Sequence, residues 1–492
     1  MQNLNTKELR PFIKSNIPFL ILLCILNLSV YFVMLFNNFV SADDLAGYVN
    51  NEALKNFGAS IKTFTIGATV FSIFKNTVGN SPFPLHLHSL LLHMAVTLLV
   101  FILVYILFGK KAAAISSVLF AVHPVNTEVL SWISATGYFY NTIFILTSII
   151  FYLLYRDRGN RKYLVISLTA LIAGLILTRS PWILAVPPML AVMELFIFNK
   201  SFKLKSLFPT IPYFGVIIVA AIFFFTSLAF SRVTELHNVY NLNPATATPW
   251  LNHLPFSIFM TFKLLAFPKD LSIFHEGQVL SLGFYRFMVF FSLALIPLYV
   301  VLIKKSRTAA GLITLIFVAM FPVFSPIQVA FFIAERYLYV PSIFFCILIA
   351  LILIKIDTKF RNFALIATLI LLIIYSARSI TRTIDWKDSR HLWEASAQTD
   401  PFSARVFNNL GDAYMNEKKY DLSVKAFSRA IEIDPNFTDA VHNLGSTYMQ
   451  MGAYDLAAQQ YEKALQMNPN YVGADRAKQI LQVLRERNLI KD

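Results

Sequence analysis

The earliest acidic residues beyond the first apolar segment form an adjacent pair, Asp43 and Asp44. When two carboxylates share a poorly hydrated site, one of them can have a raised pKa and accept a proton from a hydroxyl group. The pair is therefore a candidate general base. A hydrated loop start is the alternative, and the pair considered alone favours that alternative.

A second candidate group combines Glu335 and Arg336 with Tyr337 and Tyr339. A guanidinium can contact two phosphate oxygens at once, so an Arg with two nearby Tyr residues is suited to a lipid phosphate. In the structural alternative, Glu335 and Arg336 neutralise each other as an adjacent ion pair.

Glu128 and His123 are the ends of a six-residue run, HPVNTE, expected at the outer end of a membrane span. Ionisable groups at membrane depth are costly and often functional. Both residues are therefore candidates for orienting a substrate. A capped turn bent by the proline explains them equally well.

His86 and His93 are seven residues apart and share a helix face, whereas His88 points elsewhere. Two His without a carboxylate partner make a poor metal site, so the sequence does not support a divalent metal. We expect these His residues to line a polar cavity or cap a helix. For the isolated cations Lys62, Arg179 and Lys263, the simplest explanation is a charge that reaches the lipid headgroups.

Membrane-spanning helices must position these groups. The 492-residue chain is 57% apolar and 14% charged. A soluble protein carries about 25% charged residues, so a water-soluble globular fold is excluded. Two Cys, both in apolar runs, exclude a disulfide framework and a Cys-based zinc site.

About 20 apolar residues cross a bilayer core, with about 17 as a lower limit. On this basis we predict about eleven spans, near 17–36, 87–108, 112–127, 138–155, 163–178, 182–198, 209–230, 284–303, 309–324, 338–354 and 362–377. The segment 251–267 contains Lys263 and ends before Pro268, so we expect it to be interfacial or re-entrant.

The charges separate two domains. Residues 1–377 hold 27 basic and 12 acidic side chains, whereas residues 378–492 hold 15 of each. The net charge of +15 therefore belongs to the apolar part, which argues against a nucleic-acid partner. With the N-terminus in the cytoplasm, the inner segments carry 18 of those 27 basic residues, a strong positive-inside pattern. An odd number of spans then places the C-terminal domain outside.

That domain is a helical repeat. Residues 403–436 and 437–470 align without a gap at a period of 34, and Gly411 returns as Gly445. Small and aromatic residues at fixed offsets with this period are typical of tetratricopeptide repeats, which stack into an α-solenoid. The predicted organisation is a membrane domain, a junction with half a repeat, two repeats and a capping helix, at 1–377, 378–402, 403–436, 437–470 and 471–492.

These motifs together resemble the transmembrane and tetratricopeptide-repeat O-mannosyltransferases, and more broadly the multispan glycosyltransferases of the GT-C fold. The family's acidic pair after span one matches 43–44, and its AERYLYLPS motif is nearly intact at 334–342. Its HxxNLLLH pattern looks like 86–93, where a Ser replaces the Asn. Its HPVHTE pattern looks like 123–128, where an Asn replaces the second His. Its entry into the repeats looks like 385–393.

The resemblance implies an all-α, GT-C-like helix bundle that transfers a sugar, most simply mannose, from a polyprenyl phosphate to a hydroxyl group with inversion. Asp43 or Asp44 would be the base, and Arg336 would stabilise the leaving phosphate. Donor binding is assigned to Arg336, Glu335, Arg179, Lys62, Tyr337 and Tyr339. Orientation of the sugar or acceptor is assigned to Glu128, His123, His86 and His93.

The expected partners are the lipid-linked donor, membrane lipids and an acceptor polypeptide held at its Ser or Thr by the repeats. Beyond the donor, no cofactor is implied. We expect a multi-pass protein of a prokaryotic cell membrane with periplasmic or extracellular repeats, or of the endoplasmic reticulum with luminal repeats in a eukaryote. Two alternatives stay open: an enzyme that modifies glycans or lipids, and a non-catalytic membrane-anchored repeat scaffold.

Overall fold

The computed structural model describes residues 9–63, 65–198, 204–224, 250–275, 282–324 and 331–490. Within these ranges the chain forms helices and connecting segments, with no strand. The helices of the membrane part are α1 Leu9–Ser15, α2 Ile17–Tyr31, α3 Phe57–Lys62, α4 Ile66–Thr77, α5 Pro82–Phe108, α6 Lys110–Ala121, α7 Thr127–Ser131, α8 Gly137–Arg158, α9 Arg161–Thr178, α10 Val186–Val192, α11 Ile211–Phe224, α12 Trp250–Ala266, α13 Leu282–Lys305, α14 Arg307–Ala319, α15 Phe321–Phe324, α16 Tyr339–Asp357 and α17 Phe363–Asp385.

Short 3-10 or π turns extend or connect several of these helices. They are Phe32–Phe36, Leu45–Val49, Glu52–Lys55, Pro124–Asn126, Ile133–Thr136, Pro181–Ala185, Met193–Phe198, Leu204–Thr210 and Glu335–Leu338. The helices of the C-terminal part are α18 Ser389–Thr399, α19 Ala404–Asn416, α20 Tyr420–Ile433, α21 Thr438–Met451, α22 Tyr454–Met467 and α23 Ala474–Glu486.

Eight helical segments of the described chain are long and apolar enough to cross a membrane. They are Ile17–Phe36, Pro82–Phe108, Ile133–Arg158, Arg161–Thr178, Pro181–Phe198, Leu282–Lys305, Glu335–Asp357 and Phe363–Asp385. They confirm a polytopic membrane bundle and coincide with eight of the eleven predicted spans. The predicted span 209–230 continues beyond Phe224 into residues outside the described ranges, and the helices within 251–267 and 309–324 have 17 and 13 residues.

The remaining predicted span, 112–127, is bent. Helix α6 ends at Ala121, and the next helical segment, Pro124–Ser131, turns away by 51°. Pro124 has no backbone N–H and restricts the preceding residue to an extended conformation, so the helix cannot continue through it. The bend turns Glu128 into the bundle interior, where its side chain is fully buried.

Helix α5 lies centrally and packs against α2, α6 and α8. Helix α13, by contrast, keeps large apolar side chains such as Phe290 and Leu293 exposed, and in its described length only Met288 is buried. An exposed apolar face of this size is stable against lipid but not against water. The bundle therefore presents a lipid-facing surface.

Helix α17 continues past residue 377 to Asp385, so the predicted boundary between the membrane part and the junction falls inside a continuous helix. One face of α17 buries Tyr375, Ser379 and Arg382, at helical spacing. Its other face exposes aliphatic side chains such as Ile373. The polar face packs into the bundle, and the apolar face is left for lipid.

The two repeats are helix pairs, α19–α20 and α21–α22, followed by the predicted closing helix α23. Their close packing requires the small residues noted in the sequence. A Cβ atom at Gly411 would lie 2.8 Å from the Phe427 ring, and one at Gly445 would lie 3.2 Å from Tyr461. The glycines thus let the paired helices approach each other.

Candidate functional site

The acidic pair lies in the loop after the first span, and its two carboxylates have different surroundings. Asp44 is fully buried. Its Oδ1 accepts hydrogen bonds from the backbone N–H and the hydroxyl of Ser134 at 2.9 and 2.7 Å, and its Oδ2 accepts one from the Val40 N–H at 3.3 Å. Asp43 is exposed. Asp44 is therefore held in place by hydrogen bonds, whereas Asp43 stays accessible to solvent.

Both carboxylates have raised pKa values, because surrounding protein atoms displace water from them and so disfavour the charged form. This applies even to Asp43, which keeps one side open to solvent while protein atoms crowd the other. For Asp44 the pKa rises to about 6, although the hydrogen bonds from Ser134 lower it. For Asp43 the rise is opposed by the positive charge of Arg336 nearby. Asp43 therefore combines access to solvent, a raised pKa and a neighbouring cation.

Glu128 and Arg336 form a buried ion pair. Glu128 is fully buried and Arg336 is 6% exposed. The guanidinium NH1 donates to Glu128 Oε1 at 2.5 Å, and the backbone N–H of Arg336 donates to Oε2 at 3.0 Å. The carboxylate thus fixes both the backbone and the charged end of Arg336.

Aromatic rings surround the Arg336 guanidinium. Its central carbon lies 5.1 Å from the centroids of the Trp132 and Tyr337 rings and 5.0 Å from that of Phe331. At this distance the rings attract a cation electrostatically. The Tyr138 side chain also lies within the electrostatic influence of the guanidinium. Arg336 is therefore held in a defined position, from which its charge acts on Asp43.

The structure excludes the alternative in which Glu335 and Arg336 neutralise each other. Glu335 pairs with Arg382 of α17, whose NH2 group donates to its Oε1 at 3.0 Å, and both side chains are fully buried. Arg382 also reaches Asp385 at 3.5 Å. Consecutive residues diverge because the turn Glu335–Leu338 directs the two side chains toward different helices.

Four of the predicted site residues lie in the bundle core. His93 connects three helices, because its Nδ1 bonds the Tyr339 hydroxyl at 2.7 Å and its Nε2 bonds the Ala121 carbonyl at 3.1 Å. His123 Nε2 bonds the Leu265 carbonyl at 3.0 Å. All of these side chains are buried, and so is His86. The structure thus gives His93, Tyr339 and His123 bonds that tie helices together.

The cations Lys62 and Arg179 lie near each other at the protein surface. Arg179 follows the end of α9 in a left-handed conformation, with φ of 49°. Its NH2 group donates to the carbonyl of Thr63, the residue after Lys62, at 2.6 Å. Both side chains are exposed. The pair is a surface feature separate from the buried Glu128–Arg336 contact.

Three residues that the sequence did not single out complete the described site: Ser134, Trp132 and Arg382. Ser134 anchors Asp44, Trp132 covers Arg336, and Arg382 neutralises Glu335. Of these three residues, only Arg382 could have been found from the sequence, because it continues the helical spacing of the buried face of α17. In the described residues no group of three or more His, Cys, Asp or Glu is arranged to hold a metal ion.

The fold and this cluster define a polytopic helical membrane protein with C-terminal tetratricopeptide repeats and an exposed aspartate beside a buried arginine. Two family models match the chain. One, Tetratricopeptide repeat, matches residues 404–437 and 439–471. The other, Dolichyl-phosphate-mannose-protein mannosyltransferase, matches residues 65–230, a range that includes Glu128 but neither Asp43 nor Arg336.

Curated relatives extend this result. The chain is 25% identical to Protein O-mannosyl-transferase TMTC3 of Homo sapiens, over 72% of this chain and 43% of the relative. It is 26% identical to Protein O-mannosyl-transferase F38B6.6 of Caenorhabditis elegans, over 65% of this chain and 46% of the relative. The chain is thus similar to proteins named as protein O-mannosyl-transferases, and it spans less than half the length of these relatives.

Proposed function

We propose that the protein transfers mannose from a polyprenyl-phosphate donor to a Ser or Thr hydroxyl of a polypeptide. The hydroxyl oxygen attacks the anomeric carbon while the bond from that carbon to the phosphate oxygen breaks, which inverts the anomeric centre. The hydroxyl proton passes to a carboxylate of the protein, and polyprenyl phosphate leaves with the bonding electrons. The family match and the curated relatives support this reaction class.

The observation that carries the proposal is the solvent-accessible carboxylate of Asp43, which lies within the electrostatic influence of Arg336. Asp44 accepts three hydrogen bonds and is fully buried, so an acceptor hydroxyl cannot easily reach it. Asp43 is exposed, and its raised pKa makes it a stronger base than an ordinary aspartate. We therefore assign the general base to Asp43 and the anchoring of its loop to Asp44.

Arg336 is assigned to the leaving phosphate. A guanidinium has five N–H groups, and the NH1 group alone bonds the carboxylate of Glu128 in the described contacts. Glu128 offsets the cost of burying the cation and holds it without the rearrangement that water would require. As negative charge develops on the departing phosphate oxygen, a fixed cation at this position stabilises it.

The reaction is assigned to the outer face of the membrane, because the basic residues of residues 1–377 concentrate in the predicted inner segments. The exposed cations Lys62 and Arg179 would then lie on that face and attract the anionic donor. The membrane is that of a prokaryotic cell or, in a eukaryote, the endoplasmic reticulum.

The repeats are assigned to the acceptor polypeptide. Arg405, in the first repeat helix α19, lies 5.9 Å from the centroid of the Phe331 ring, which in turn lies 5.0 Å from Arg336. The first repeat therefore begins beside the proposed reaction centre. A polypeptide bound along α19 and α21 would present its hydroxyl groups close to Asp43.

A transfer assay tests the proposal. The full chain in lipid nanodiscs would be given polyprenyl-phosphate mannose and a Ser/Thr-rich acceptor peptide, and product would be measured by mass spectrometry. We expect transfer by the wild type and a loss of about 10²- to 10⁴-fold in kcat for Asp43→Asn, the usual contribution of a general base. Asp44→Asn should have a smaller effect.

The matched control is Asp475→Asn, the same change at a side chain that is 95% exposed on α23. We expect this variant to transfer at the wild-type rate. Full activity of Asp43→Asn would overturn the assignment of the base. Inactivity of the wild type with mannose, glucose and other polyprenyl-phosphate sugars would overturn the proposed function.

A further inference from the structure

The loop that carries the acidic pair is hydrogen-bonded to the segment that leads into the repeats. The Asn37 side chain donates to the Thr383 carbonyl at 3.0 Å, and the Asn38 backbone N–H donates to the Lys387 carbonyl at 2.8 Å. These contacts join parts of the chain that are almost 350 residues apart. The start of the loop is therefore bonded to the end of α17.

A second pair of bonds reaches Ser41, two residues before Asp43. The Ser41 backbone N–H donates to the Ser389 hydroxyl at 2.8 Å, and the Trp393 indole N–H donates to the Ser41 hydroxyl at 2.9 Å. Ser389 and Trp393 are on one face of α18, four residues apart. Helix α18, the half repeat that precedes the first full repeat, thus holds Ser41 through both its backbone and its side chain.

Trp393 also connects to the opposite side of the proposed site. Its ring lies 5.7 Å from the Phe274 ring, which stacks on Phe331 at 4.9 Å. Phe331 in turn faces the guanidinium of Arg336. The fully buried Trp393 side chain is therefore packed between the support of Arg336 and the loop of Asp43.

We propose that Ser389 and Trp393 are positioning residues, and that α18 sets the location of Asp43 relative to Arg336. This inference rests on the proposed function. On the other side of the loop, Asp44 is held by Ser134. The loop is thus fixed from both sides, and the repeats are part of the catalytic structure as well as a place for the acceptor.

The first test is kinetic. Ser389→Ala removes the acceptor of the Ser41 N–H, and Trp393→Phe keeps a ring but removes the indole donor. Both changes should lower kcat by about tenfold or more, because small displacements of a catalytic group are costly. The KM values for polyprenyl-phosphate mannose and for the acceptor peptide should stay within about twofold, since neither bond is to substrate.

Two further variants isolate the bonds. Ser389→Thr keeps the hydroxyl group and should retain most of kcat. A double variant, Ser41→Ala with Trp393→Phe, should be no slower than the slower single variant, because both changes remove the same bond. The control Thr399→Ala removes a hydroxyl at the far end of α18, where it bonds only within its own helix in the described contacts, and should leave kcat unchanged.

Hydrogen exchange gives a readout that does not depend on activity. In nanodiscs, Ser389→Ala should increase amide exchange several-fold in peptides that contain Asn38 and Ser41, whereas Thr399→Ala should not. Faster exchange with an unchanged kcat would overturn the positioning role and leave the proposed function intact. Unchanged exchange would show that these bonds do not hold the loop, and would overturn the inference directly. An inactive wild type would instead count against the proposed function.

Discussion

Glu128 holds Arg336 at two points, although the residues are 208 positions apart in the sequence. One carboxylate oxygen accepts the backbone N–H at the start of the turn Glu335–Leu338, and the other accepts the guanidinium. Because the backbone and the side chain share one partner, the bent helix pair and the last spans have a fixed relative position. The same contact fixes the position of the cation whose charge acts on Asp43.

The energetic importance of this pair can be measured. Arg336→Gln leaves the Glu128 carboxylate buried without its cation, and should lower the free energy of unfolding by about 3–5 kcal/mol. The double variant Glu128→Gln with Arg336→Met buries no charge and should recover most of this loss, without recovering transfer. Thermal unfolding in detergent and the transfer assay would measure the two effects separately.

The control for that experiment is Arg485→Gln, which breaks the ion pair with Glu462 on the surface of the repeats. Since exposed pairs contribute about 0–1 kcal/mol, its melting temperature should barely change. Equal losses of stability in the single and double variants at Glu128 and Arg336 would contradict the ion-pair explanation.

The pH dependence of transfer should report the pKa of Asp43. The proposed base acts only when deprotonated, so kcat/KM should fall as the pH drops through that pKa. Burial raises this pKa above its ordinary value, and the charges that face the carboxylate are the cation of Arg336 and the neighbouring Asp44. The acid limb of the profile should therefore lie above the range of a fully hydrated aspartate.

The same profile measured on Arg336→Gln provides the comparison. Arg336 lowers the pKa of Asp43, so its removal should move the acid limb of the residual activity to higher pH. Transfer rates at about pH 4 to 9, the range in which a shifted carboxylate titrates, would show the displacement. An acid limb that moves to lower pH in this variant is incompatible with the proposed arrangement.

The free energy of unfolding should depend on pH in a way that reports the titration of Asp44. Its pKa rises from 3.8 to about 6 on folding, so the folded state binds the proton more tightly than the unfolded state. This contribution favours folding at low pH and is lost as the pH rises from about 4 to 6. The Asp44→Asn variant lacks this titrating group. As the pH rises across that range, its free energy of unfolding should therefore increase by about 3 kcal/mol relative to that of the wild type.

Unfolding of both proteins followed at several pH values would give this difference, with Asp475→Asn as the exposed control. Other carboxylates titrate in the same interval, and the subtraction removes their common contribution. A constant difference between Asp44→Asn and wild type would show that the Asp44 pKa is not raised in the folded protein.

The spans and the repeats could be predicted because their signals are local. Apolar length marks a span, and a 34-residue period marks a repeat. The same holds for Asp43, Glu128 and Arg336 as candidates, since charges near membrane depth are rare enough to stand out. The motifs mark these residues as candidates, and their roles stay predictions.

The ion-pair and hydrogen-bond partners of these side chains could not be predicted, because they depend on how helices distant in the sequence pack. The adjacency of Glu335 and Arg336 suggested a mutual ion pair, yet each bonds a residue on another helix. Likewise, nothing in the sequence distinguishes Asp43 from Asp44. Their difference arises when Ser134, 90 residues further along, packs against one carboxylate and not the other.

The close approach of the repeat helices gives a final prediction. At Gly411 an added Cβ atom would lie 2.8 Å from two atoms of the buried Phe427 ring, a distance that real Cβ contacts do not show. Gly411→Ala should therefore force α19 and α20 apart and lower the stability of the repeats by about 1–3 kcal/mol, the usual cost of overpacking. Gly67→Ala is the control, since an added Cβ on α4 meets no atom of the described chain within 4 Å. Because α18 packs on α19, the loss should also appear as faster hydrogen exchange in α18. Melting of the repeats at the wild-type temperature in Gly411→Ala would show that this contact relaxes without cost.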